Sequence, residues 1–121
     1  MQALTQKEIE FVIYGEPASK ANSRKMVYVR GKPMFIKSEK ALSYVSAFKL
    51  QAPAGLEMLE GEVAVEMTIY YKTRRPDLDE SLILDLLQGV AYENDRQVRE
   101  KHIYWGLDKE NPRTEIRVYK K

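Results

Sequence analysis

A chain of 121 residues has room for one hydrophobic core, so the economical expectation is a single domain spanning 1–121. Its 44% hydrophobic and 31% charged residues are ordinary for a folding chain and argue against disorder, collagen-like repeats and low-complexity scaffolds. The net charge of +2 says little about partners, since a polyanion responds to a local patch, and the absence of cysteine removes disulfides, cysteine-ligated zinc and a thiol nucleophile.

In chain order, Phe11-Val12-Ile13-Tyr14 predicts a first strand stopped by Gly15 and Pro17. A polar, basic stretch over 18–25 follows. Segments 26–30 and 33–37 flank Gly31-Lys32 and predict a hairpin, with Pro33 directing the second arm toward a sheet edge. Ser38 then stands as an N-cap, and Ala41, Leu42, Val45 and Leu50 recur at helical spacing before Pro53, predicting a helix over 39–51. After a connector over 55–61, Val63, Val65, Met67, Ile69 and Tyr71 alternate with their neighbours at period two, the clearest strand signal in the chain. That strand must end before Pro76, which has no N–H to donate. Leu78, Leu82, Ile83, Leu84, Leu86, Leu87 and Val90 surround a short, largely buried helix stopped by Gly89. Segments 98–105 and 114–119 predict closing strands around a turn containing Gly106 and Asn111-Pro112. The expected class is α/β (α+β): a single mixed β-sheet with two packed helices. Neither an export signal nor an apolar run of about 18 residues is read, so a soluble cytoplasmic protein without membrane contact is expected.

Three aspartates carry most of the chemical information. Asp77 and Asp79 lie just past a strand end, where one aspartate suffices to cap the next helix; a second, two positions away, brings like-charge repulsion that a cation relieves. Asp95, alone, reads as a turn residue, but the turn after the short helix can return it toward the first two. Three carboxylates match the hard oxygen ligands of Mg²⁺, which keeps waters and bridges to substrate phosphate. Asp85, near the apolar arc of the helix, is a candidate fourth contributor, but a capping, ion-paired or hydrogen-bonded structural role reads at least as well, and it stays outside this set. Two basic groups, Lys20, Arg24 and Lys25 in the early loop and Lys72, Arg74 and Arg75 before the aspartates, form either a solvated surface or a phosphate-binding rim. His102 reads as a strand surface residue and the tyrosines as core and sheet cover, in each case with catalysis or base stacking as the minor alternative.

In combination, Arg74-Arg75-Pro76-Asp77-Leu78-Asp79, the apolar helix with Asp85-Leu86-Leu87, and Asn94-Asp95-Arg96-Gln97-Val98 resemble the RusA family of Holliday junction resolvases. The stretch Gly15-Glu16-Pro17-Ala18-Ser19-Lys20-Ala21-Asn22-Ser23-Arg24 resembles the basic N-terminal loop of phage-type members. The resemblance implies a Mg²⁺-dependent endonuclease, with Mn²⁺ as the alternative ion, that cuts branched DNA such as four-way junctions to 5′-phosphate and 3′-hydroxyl ends. It further implies a homodimer and a bacterial host, phage or prophage setting. Asp77, Asp79 and Asp95 fall on the family's catalytic metal-ligand positions; Arg99 and Lys101 join Lys20, Arg24, Lys25, Lys72, Arg74 and Arg75 as expected DNA contacts. The chain departs from the family pattern at Asn94, at Glu80 and in lacking a helix lysine between Thr73 and Lys101, for which Arg74, Arg75, Arg99 or Lys101 are candidate substitutes. The competing readings are a DNA-binding or assembly protein on the same scaffold that cuts weakly or not at all, and a small structural oligomer.

Overall fold

The computed structural model describes residues 8–19 and 24–121. In chain order these form β1 (Glu8–Tyr14), β2 (Arg24–Val29), β3 (Lys32–Lys37), α1 (Glu39–Gln51), β4 (Val63–Tyr71), α2 (Ser81–Leu86), β5 (Val98–Leu107) and β6 (Arg113–Lys120). The period of two in β4 places Val63, Val65, Met67, Ile69 and Tyr71 on one face, none more than 1% exposed. Each such burial is worth about 1.5–3 kcal/mol relative to an exposed side chain, which makes β4 the natural centre of the sheet. The strand order is β1-β6-β4-β5, with β4 parallel to β5 and the other pairings antiparallel, so the sheet is mixed and the fold α+β.

The helices cover the same face. From α1, Tyr44 and Phe48 enter the core, and Phe48 meets Phe11 of β1 edge to face with ring centroids 6.0 Å apart. Ser38 caps α1 as its sequence predicts, its hydroxyl accepting from the Ala41 N–H at 3.1 Å. From α2, Ile83 is fully buried, followed by Leu87 and Tyr92 in the turn beyond it. The opposite sheet face stays polar, with Glu66, His102, Glu115 and Arg117 on it. None of the described helices is long and apolar enough to cross a membrane.

Local differences from the sequence expectation have identifiable causes. β1 starts three residues early, because Glu8 and Glu10 occupy its outward positions opposite Tyr119 and Arg117. Gly106 belongs to β5 rather than to the following turn: it pairs with Tyr70, whose ring lies where a Cβ would come within 2.6 Å. The β2–β3 hairpin turns on Arg30-Gly31, not Gly31-Lys32, since both central residues take positive φ (54° and 79°) and Lys32 already pairs with Val29. It forms a two-stranded sheet of its own instead of joining the main one.

Three side chains hold the C-terminal end of β4 and the loop beyond it. The buried Tyr71 hydroxyl donates to the Asp77 carbonyl and accepts the Asp79 N–H, each at 3.2 Å. Trp105 stacks on Tyr71, centroids 5.9 Å apart, and donates its indole N–H to the Pro76 carbonyl at 3.1 Å. Glu16, in the loop after β1, accepts the Lys72 N–H at 2.8 Å and pairs with the Lys40 ammonium at 2.9 Å. It thereby ties the ends of β1 and β4 to α1.

Replacing Tyr71 by Phe removes both loop hydrogen bonds while conserving the ring. It is expected to cost about 1–3 kcal/mol, measured as a lower urea midpoint at unchanged slope. Burial alone raises the Glu16 carboxyl, but the Lys72 N–H and the Lys40 charge outweigh it and hold it below its ordinary 4.5. A depressed carboxyl contributes stability above its unfolded value that disappears as pH falls through its folded value. Wild type is therefore expected to lose more stability than Glu16→Gln on acidification below pH 4.5, and parallel pH profiles in urea denaturation would refute this role.

Candidate active site

The aspartates sit on the crossover between two parallel strands, Asp77 and Asp79 after β4 and Asp95 before β5. Asp79 does local work first: its Oδ1 accepts the Ser81 N–H at 3.0 Å and the Ser81 hydroxyl at 2.6 Å, which orders the entry to α2. Asp95 opens a single 3-10 turn, Asp95–Gln97, whose preceding residue Asn94 caps it by accepting from the Arg96 N–H at 2.9 Å. Gln97 anchors that turn from both ends of its amide. Its oxygen accepts the Glu93 and Asn94 N–H groups at 3.0 and 3.1 Å, and its nitrogen donates to the carbonyls of Leu59 and Gly61, both at 2.9 Å.

These devices bring Asp79 and Asp95 onto one open cavity of about 810 Å³, and Asp85 of α2 lines it with them. Gln88 bridges the latter two: its amide nitrogen donates to Asp85 Oδ1 at 3.1 Å, and its oxygen accepts the Asp95 N–H at 3.0 Å. Tyr92 reports the same closeness. Burial, with the charges of Asp95 and Asp85 adding to it, pushes its phenol far above the ordinary range, and its proton goes to the Leu84 carbonyl at 2.7 Å. Tyr71 is raised likewise by burial, reinforced by the carboxylates of Asp79, Glu16 and Glu80.

Asp77 is exposed and does not line the cavity; its backbone carbonyl, rather than its carboxylate, makes the bond to Tyr71. Among the described residues no three His, Cys, Asp or Glu side chains stand close enough together to cage an ion. The donor set nevertheless suits Mg²⁺, which commonly takes one or two carboxylates, keeps several waters and completes its shell with substrate phosphate. Sequence reasoning weighed Asp85 as a fourth contributor and set it aside for a structural role, and it gave no role to Gln88 and Gln97, whose amides carry no motif.

The expected cations divide. Arg24 reaches the cavity wall, where Phe35, Ile36 and Lys37 join it. Lys72, Arg74 and Arg75 are exposed around the loop that precedes Asp77. Lys25 lies 3.9 Å from Glu39, Arg99 3.4 Å from Glu62, and Lys101 2.9 Å from Glu80. Lys20 falls outside the described residues. His102 pairs with Glu100 at 3.0 Å on the outer sheet face, away from Lys101 and Trp105, which alternate onto the inner one.

Comparison with known proteins bears on the whole of this arrangement. No curated protein matches the chain. The family model described as endodeoxyribonuclease RusA matches residues 15–119, a span that takes in the loop carrying Glu16, both aspartate segments and the closing strands. With all but the two ends of its length inside that match, the chain belongs to the RusA endodeoxyribonuclease family.

Proposed function

We propose that this protein is a Mg²⁺-dependent, structure-selective endodeoxyribonuclease that cuts Holliday junctions or related branched DNA, working as a homodimer. The observation that carries the reading is the meeting of Asp79 and Asp95 on one cavity within a RusA-family chain. Asp79 and Asp95, with Asp85 beside them, would hold the ion from the cavity wall, and the family resemblance adds Asp77. When bound, the ion supplies Lewis-acid polarisation of the phosphate and lowers the pKa of an attacking water.

The protein's own residues orient this chemistry. Ser81 fixes Asp79 Oδ1, and Gln88 fixes the Asp85 carboxylate relative to the Asp95 backbone. Arg24 and Lys37 on the same cavity, and Arg74 and Arg75 on the preceding loop, offer cations to the DNA backbone. Without a cation the cavity carboxylates repel a phosphate, so binding in the cavity and cutting share one metal requirement.

A second reading, a DNA-binding protein that does not cut, draws on one observation. Lys101, a candidate for the missing helix lysine, is already paired with Glu80 at 2.9 Å.

Asp79→Asn and Asp95→Asn are each expected to abolish Mg²⁺-dependent nicking of a labelled four-way junction and to weaken Mn²⁺ binding measured by calorimetry. Retention of full cutting by both variants would sink the assignment, and metal-independent binding without cutting by wild type would favour the second reading. Gln88→Ala, which frees Asp85 and the Asp95 turn without touching a carboxylate, is expected to lower cutting or metal affinity about 10- to 100-fold.

A further inference from the structure

The β2–β3 hairpin does nothing for the core, and its composition is unlike that of the rest of the chain. Between Arg24 and Lys37 it carries five cations, Arg24, Lys25, Arg30, Lys32 and Lys37, and no acidic residue. A chain of net charge +2 thus concentrates +5 in fourteen residues and leaves −3 elsewhere. Its large apolar side chains are turned to solvent rather than inward: Tyr28 is 69% exposed, Phe35 68%, and Met26 and Met34 50% each. An isolated two-stranded ribbon is marginal in water, and exposed aromatic surface of this extent marks a contact site.

The register sorts these residues. Met26 stands opposite Phe35 and Tyr28 opposite Pro33, so alternation puts Met26, Tyr28, Pro33 and Phe35 on one face with Arg24 and Lys37 at its root. Arg24, Phe35 and Lys37 also line the cavity that contains Asp79 and Asp95, so this face is continuous with the candidate active site. Six residues per strand carry it about 20 Å outward. At the tip, Arg30 sits at φ 54° in a turn where Asn or Gly would be unstrained. The tip therefore keeps a cation at a conformational cost.

We infer that the β2–β3 hairpin is a base-stacking arm: Met26, Tyr28 and Phe35 pack on bases left unpaired at a DNA branch point, while Arg24 and Lys37 at the root and Arg30 and Lys32 at the tip take the flanking phosphates. The inference rests on the branched-DNA nuclease reading and deepens it by assigning the selection of branched over linear DNA to this arm. Exposed aromatic rings flanked by cations are what single-stranded nucleic acid binds, the π-faces taking bases of any identity and the cations tracking the backbone. Covering by a second copy of the hairpin would oppose two groups of five like charges, whereas a polyanion complements them.

The test compares wild type, Tyr28→Ala/Phe35→Ala and Arg30→Ala/Lys32→Ala. Binding is measured, with Ca²⁺ replacing Mg²⁺, to a four-way junction carrying 2-aminopurine at the branch point and to the matched linear duplex. Both aromatic rings are mostly solvated, so their removal leaves the core intact, which circular dichroism checks. The aromatic double variant is expected to lose about fivefold or more in junction affinity, less than twofold in duplex affinity, and the 2-aminopurine emission change seen with wild type. The cationic double variant should lower the slope of log affinity against log salt by about two. Wild-type junction cutting together with undiminished junction affinity and emission change in Tyr28→Ala/Phe35→Ala would overturn the inference alone. A shift from dimer to monomer in that variant, with junction selectivity retained, would assign the hairpin to self-association and overturn it too. A wild type that neither binds nor cuts branched DNA would overturn the nuclease reading and the inference with it.

Discussion

Everything at the candidate site depends on how the chain turns back after β4. In a parallel pair, the segment leaving one strand and the segment entering the next lie at opposite ends of the sheet, here separated by the nine residues of β4, about 30 Å. The six-residue α2 recovers only about 9 Å of that distance. The rest falls to the segments over 72–80 and 87–97; the loop over 76–80 descends beside the edge strand β5, with Pro76 held by Trp105 and Glu80 by Lys101, four residues nearer the start of that strand. Tyr71 makes the descent unique: a single phenol hydroxyl fully buried under the loop satisfies one carbonyl and one N–H that would otherwise be left without a partner. Asp79 is thereby carried down toward Asp95, while Asp77, higher on the same descent, stays off the cavity.

The parts of the fold legible in the sequence are those written in local periodicity and punctuation. α1 runs from Glu39 to Gln51 because Ser38 caps it and Pro53 forbids its continuation, and β4 runs from Val63 to Tyr71 because its alternation is unbroken. The parts hidden from it depend on partners distant in sequence. Nothing near Gly106 says that Tyr70 will lie across it, and nothing near Glu8 says that β6 will pair with it. The separate hairpin sheet was also beyond periodicity: its strands carry the continuous apolar runs Met26-Val27-Tyr28-Val29 and Met34-Phe35-Ile36, which read as buried strands, and yet bury neither face.

The site shows the same division. Asp79 and Asp95 stood out because two carboxylates at short spacing and a third near a turn form a pattern. Glu16, Gln88 and Gln97 do as much to fix the geometry, but each acts as a single amide or carboxylate bridging backbone groups up to 56 residues away, and a single polar residue has no pattern to read. Of the cations expected to meet DNA, Arg24 on the hairpin and those on the 72–75 loop are exposed, whereas Lys25 is shared with Glu39 and Arg99 with Glu62, partners that no local pattern supplies.

That partnering does not remove Lys101 from consideration at the site. Its ammonium and the Glu80 carboxylate are 2.9 Å apart, and the pair is open to water mainly on the lysine side, where the side chain is 46% exposed. A phosphate that draws Lys101 away leaves the Glu80 carboxylate, only 20% exposed, short of a partner, so the exchange carries a desolvation cost unless a bound cation takes that carboxylate over. Glu80 immediately follows Asp79, so the pair parks a lysine beside the cavity carboxylates on a strand that the Tyr71–Trp105 stack already fixes. Lys101 thus stands at the sheet edge with its availability set by the neighbouring acid, whereas Arg24 and Lys37 line the cavity itself.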